Sequence, residues 1–240
     1  MTELIKRLQG LEKPKQFADW LWKSLEEFYL LKDTTEESII NQKSPLYLFI
    51  TKHNNLESTV VGIAKIYDEN IPKKSQTSFR QSIGITLHKS TKIKDNKIFN
   101  VIDDLIYLTI QTKAVEALDG LLEVNSNKYI ASQNIILYDT LACVQSLVPN
   151  NKVFEFTRKL VEVPSFEDGY IFVAIAIMLE CKPDNYKEII NNYKQRIQKL
   201  YASCAKSEGN KEKEAYFEVV DSSFAKHPDA KNMILSLSKV

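Results

Sequence analysis

Residues 182–204, KPDNYKEIINNYKQRIQKLYASC, carry the clearest structural signal in the chain. On a helical wheel Tyr186, Ile189, Ile190, Tyr193, Ile197, Leu200, Tyr201 and Cys204 form one apolar stripe about 120° wide, and the opposite side is polar. Pro183 and Asp184 stand where a helix start favours them, proline for its fixed φ and an acid for the N-terminal dipole. The pattern predicts one amphipathic helix running to Cys204.

The same period recurs on either side. Residues 16–32, QFADWLWKSLEEFYLLK, place Phe17, Trp20, Leu21, Leu25, Phe28 and Leu31 on one face, with Asp19, Lys23 and Glu26 opposite. Further helices are expected over residues 77–89, 98–111, 112–123, 129–147, 152–163 and 167–180, then 214–226 and beyond Pro228. Gly120, or the 125–127 cluster, is expected to end the 112–123 segment. Thr34, Thr35 and the Ser44-Pro45 pair mark two more starts. The run YIFVAIAIML (170–179) reads as a helix covered on several sides, and its ten residues fall short of the ~20 that span a bilayer.

Only six glycines occur in 240 residues. Hairpin turns, bulges and phosphate-cradling loops need positive φ, which glycine supplies, so this scarcity argues against a sandwich, a barrel or a nucleotide-binding α/β enzyme. The expected class is all-α. The β-branched and aromatic stretches 46–51, 59–67 and 82–88 leave an α+β alternative with short strands in 46–88.

Pro149, Pro183 and Pro228 each separate two helical patterns and are followed by Asn or Asp, at spacings of 34 and 45 residues. The phrases LECKPDNYKEI and SSFAKHPDAKNMI look like the junction between tetratricopeptide repeats. Arg158 and Lys159 stand where that pattern has Leu and Gly, and Ile171 where it has Ala. The reading is therefore an irregular helical-hairpin array (HEAT/TPR-like) of about 10–12 helices, with residues 1–240 as one domain.

Charge is balanced overall, at +1, but unevenly placed. Residues 51–100 hold nine Lys/Arg against four Asp/Glu, while residues 101–150 hold two against six. The first stretch contributes Lys73, Lys74, Arg80, Lys89, Lys92, Lys94 and Lys97, a candidate strip for nucleic-acid phosphates. The second contributes Asp103, Asp104, Glu116, Asp119 and Glu123, a candidate surface for a basic protein. Trp22 and Tyr29 lie at the margin of the first apolar face, where aromatics serve as interface anchors.

Chemistry-bearing motifs are not evident. The sequence has no GxxxxGK[ST], GxGxxG, GxSxG or HExxH, and His53, His88 and His227 are scattered. His227 is expected to serve as a cation at a helix end. Cys143, Cys181 and Cys204 sit in apolar-periodic segments and read as small core residues. The opening MTELIKRLQGLEK has charges throughout and no apolar centre, which predicts no secretory leader. These features predict a cytoplasmic, non-enzymatic protein-interaction module without metal or cofactor, acting as an adaptor, assembly or regulatory subunit. Its partner would be another protein or a second copy of the chain. A nucleic-acid-binding helical-repeat protein, gripping through the links in 73–97, is the alternative.

Overall fold

A computed structural model describes residues 7–8, 10–29, 59–131, 134–206 and 211–238. Among them are twelve α-helices, three short 3-10 turns and no strand, so the fold is all-α. Residues 59–90 are helical apart from Ile71 and Pro72. The short strands considered for 46–88 therefore do not form over that part. Residues 46–58, with the helix starts at Thr34, Thr35 and Ser44-Pro45, lie outside the described residues.

Where the sequence suggests one array, the contacts fall into two compact units, Met1–Leu147 and Val148–Val240. The first contains α1 (Pro14–Tyr29), α2 (Thr59–Asn70), α3 (Lys73–Ser90), α4 (Ile98–Thr112), α5 (Leu118–Ser126) and α6 (Asn134–Gln145). The second contains α7 (Asn151–Val161), α8 (Ile171–Cys181), α9 (Tyr186–Asn192), α10 (Lys194–Lys206), α11 (Lys211–Ser223) and α12 (Pro228–Leu237).

In the first unit α3 is the central helix, and α1, α4 and α5 pack around it. It starts immediately after Pro72, earlier than the polar composition of residues 70–78 suggests. Phe79, Ile83 and Leu87 are fully buried, and Phe79 receives Phe17, Trp20 and Tyr67 at ring-centroid distances of 5.7, 6.4 and 5.2 Å. The buried hydroxyls of Ser82, Thr86 and Ser90 donate to the carbonyls of Phe79, Ser82 and Leu87 on the same helix. Each polar group is thereby satisfied without a partner from the core.

Helix α4 ends at Lys113, whose φ of 51° and ψ of 42° are left-handed, so the apolar pattern of 98–123 is broken there. Of the two stops expected for the next helix, the 125–127 cluster is the one used: α5 ends at Ser126 with Asn127 as its C-cap, and Gly120 does not end it. It lies inside α5, at the crossing with α3.

In the second unit α8 is the central helix, packed by α7, α9 and α11. Seven of its eleven residues are buried, Ile171, Phe172, Ala174, Ile175, Ile177, Met178 and Leu179, as expected of a helix apolar on all sides. Burying each large side chain contributes about 1.5–3 kcal/mol. The expected continuous helix over 186–204 is instead two, separated at Tyr193 (φ −110°, ψ 10°). The phase survives the break, because Ile189, Ile190, Tyr193 and Ile197 all remain buried. Arg196 shows why the polar side is not all solvent-facing. It meets the Asp168 carboxylate at 2.6 and 2.7 Å, donates to the Val161 carbonyl at 2.7 Å and lies 5.2 Å from the Phe166 ring.

Candidate functional site

Local packing engages three of the seven residues of the predicted basic strip, Lys74, Arg80 and Lys89. Arg80 reaches from α3 to Glu116, with its Nε 3.1 and 3.2 Å from the two carboxylate oxygens. It also donates to the hydroxyls of Tyr67 and Thr77, each at 3.2 Å. Burial opposes the Arg80 charge, but Glu116 and Tyr67 outweigh it and hold the guanidinium pKa above its ordinary value. Lys74 pairs with Glu12 at 3.2 Å, and the Lys89 ammonium sits 4.6 Å from the centre of the Trp22 ring.

Two of the five predicted acids are engaged in the same way. Glu116 is held by Arg80, and Glu123 pairs with His88 on α3. Thus α3 is joined to the 3-10 turn at Val115–Ala117 and to α5 by one side-chain contact each, Arg80 with Glu116 and His88 with Glu123. Asp119 remains exposed, as do Lys73, Lys92, Lys94 and Lys97. The link carrying the last three is fastened at two points. Asn127 donates to the Thr91 carbonyl at 2.9 Å, and Tyr129 donates to Asn96 at the same distance.

Trp22 is not an exposed anchor. It is only 4% exposed, because its ring packs beneath Lys89 at the margin where the wheel leaves it outside the stripe. The side chain of Tyr29 lies outside the described residues, as does His53.

A different surface comes together on α4 and α6, which pack against each other. Asp103 of α4 lies within electrostatic reach of Asp139 of α6. Burial of its carboxyl, then repulsion from Asp139, push Asp103 up to about 6, and burial raises Asp139 as well. Asp104 beside it is half-buried. Tyr107, one turn from Asp103, is 42% exposed, and Tyr138, adjacent in sequence to Asp139, is 58% exposed.

Asp139, Tyr107 and Tyr138 carry no sequence signal as a group. Tyr138 had one of its own, since it falls off the stripe formed by Leu137, Leu141 and Val144. The meeting of Asp103 with Asp139 depends on helix packing alone.

In the second unit the two proline junctions meet at a cavity of about 300 Å³ lined by Pro183, Asp184, Tyr186, His227, Pro228 and Asp229, among others. His227 precedes α12, with its Nε2 3.6 Å from Glu180 and without a hydrogen-bond partner among the described residues. Cys143 is buried, and burial pushes its thiol up to about 12 despite Lys113; Cys181 and Cys204 are half-buried. Among the described residues no three His, Cys, Asp or Glu side chains converge as metal ligands, and no helix is long and apolar enough to cross a membrane.

No family model, curated protein or solved structure matches the chain.

Proposed function

We propose that this protein is a non-enzymatic interaction module, an adaptor, assembly or regulatory subunit, which engages a basic protein partner through the α4/α6 face. The observation that carries this reading is the placement of exposed Tyr107 and Tyr138 on the same pair of helices as Asp103 and Asp139. Tyrosines supply contact area at low entropic cost, and two carboxylates raised by burial, Asp103 also by repulsion from Asp139, gain when a cation is brought beside them. The nucleic-acid reading has less support, because Arg80, Lys74 and Lys89 of the basic strip are engaged by Glu116, Glu12 and Trp22.

The test is recovery of partners from cell lysate at low salt with the full chain, alongside an Asp103→Lys/Asp139→Lys double variant of matched melting temperature. The expected result is a protein partner at fixed stoichiometry that the variant fails to retain. Nuclease-sensitive absorbance at 260 nm, lost at high salt and unaffected by the double variant, would instead make Lys73, Lys92, Lys94 and Lys97 the working surface.

A further inference from the structure

The carboxylates of the α4/α6 face have a set of cations close by on the same unit. The link 91–97, which leads into α4, supplies Lys92 and Lys94, and the turn after α5 supplies Lys128; all three are exposed. The only acid of that link is Asp95, which accepts from the backbone N–H of Lys97 at 2.8 Å. Farther along α4 lies Asp103, within electrostatic reach of Asp139 on α6, and exposed Tyr107 and Tyr138 stand on the same two helices.

Local contacts hold the cations at the head of α4. Asn127 donates to the Thr91 carbonyl at 2.9 Å and accepts from the Tyr129 N–H at 3.0 Å. The Tyr129 hydroxyl donates to Asn96, and its ring stacks on Phe99 of α4 with centroids 5.8 Å apart. Lys92, Lys94 and Lys128 flank these contacts in sequence, so they gather where α4 begins. Phe99, Asp103 and Tyr107 follow at four-residue spacing, one stripe of α4 about 12 Å long at 1.5 Å per residue. The cations therefore stand at one end of the stripe, and the carboxylates stand at its middle.

Such a surface is complementary to itself. Two copies facing each other in parallel would set acids against acids. Turned by a two-fold axis, with the stripes antiparallel, they set the lysines of each copy against Asp103 and Asp139 of the other, and every contact is made twice. The axis then passes near Phe99, where the stacked Phe99 and Tyr129 rings supply apolar contact between the two charged regions. A partner of uniformly basic charge fits less well, because it would be repelled by Lys92, Lys94 and Lys128 as it approached the acids.

We infer that the basic partner of the α4/α6 face is a second copy of this chain, docked about a two-fold axis so that Lys92, Lys94 and Lys128 of each copy meet Asp103 and Asp139 of the other. The inference rests on the α4/α6 reading and names its partner. The association is electrostatic at its edges, so salt weakens it.

Sedimentation equilibrium of the full chain at about 100 µM tests this, a concentration that populates dimers of micromolar Kd. The expected result is a dimer at low salt that dissociates at high salt. The triple variant Lys92→Glu/Lys94→Glu/Lys128→Glu, altered only at exposed positions, should be monomeric with the helicity and melting temperature of the parent. Asp103→Lys/Asp139→Lys should be monomeric as well, and the two variants mixed in equal amounts should form a heterodimer, since each new lysine then faces a new glutamate. If the aspartate variant does not fold, Asp103→Asn/Asp139→Asn takes its place and should weaken the dimer about tenfold. A monomeric parent at low salt overturns the inference, as does a dimer indifferent to the triple variant, or two folded monomeric variants that stay apart when mixed. A monomeric parent that still recovers a different protein through Asp103 and Asp139 overturns this inference alone and leaves the α4/α6 reading standing.

Discussion

Gly84 and Gly120 meet backbone to backbone where α3 crosses α5. A Cβ built on Gly120 would fall 2.6 Å from the Gly84 carbonyl oxygen and 2.9 Å from its Cα. At this crossing, which leaves no room for a Cβ on Gly120, Arg80 pairs with Glu116 four residues before the two glycines, and His88 pairs with Glu123 after them.

Gly120→Ala should destabilise the fold by about 1–3 kcal/mol, because the contacting atoms are backbone and cannot rotate away. That cost exceeds the ~1 kcal/mol that alanine gains over glycine in a helix. At Gly84 the nearest atoms to a Cβ lie at 3.2 Å, so Gly84→Ala should cost less. Chemical denaturation of both variants checks the order, and equal stability for Gly120→Ala and the parent would show that the helices separate freely.

Trp22→Ala should unfold or severely weaken the protein, not merely a complex. The ring is 4% exposed, and large-to-small changes of buried aromatics cost about 3–5 kcal/mol. Thermal unfolding decides this directly. A variant with the parent's melting temperature and a lost partner would return Trp22 to the interface role that its position on the wheel suggests.

Asp103→Asn should stabilise the protein near neutral pH. The folded state holds the Asp103 proton up to about 6, against 3.8 ordinarily, so it binds protons more tightly than the unfolded chain. Stability therefore falls as pH rises from about 4 to about 6 and stays at that lower level above. The advantage of the asparagine variant should be full at pH 7, shrink below about 6 and vanish near 4. Because the residue keeps exposed surface, solvent screening trims the size of the effect but not its sign. Denaturation midpoints at pH 4, 5, 6 and 7 measure it, and an advantage independent of pH would remove the carboxyl from this role.

Much of the architecture was legible in the residues themselves. The scarcity of glycine and the 3.6-residue period over 16–32 and 186–204 announce helices, because amphipathicity is a local property of the chain. The apolar run at 170–179 likewise announces the buried helix α8. Local signals also mislead where they are incomplete. Tyr193 interrupts the best-patterned stripe without shifting its phase, so the wheel does not see the break. Gly120 looks like a stop because glycine is weak in helices, yet a neighbouring backbone requires it inside one.

The candidate site depended on something else. Sequence alone determined that cations concentrate in 51–100 and anions in 101–150, and that aromatics border the first helix. Only tertiary structure decided that Arg80 and His88 spend their interactions on Glu116 and Glu123, that Trp22 is covered, and that Asp103 lies within electrostatic reach of Asp139. The physical reason is reach. A helix's period tells which residues share a face, but which faces meet is set by contacts between segments 35 or 36 residues apart, as in His88–Glu123 and Arg80–Glu116. Such contacts exist only once the helices have packed, as α3 and α5 do with Gly84 against Gly120.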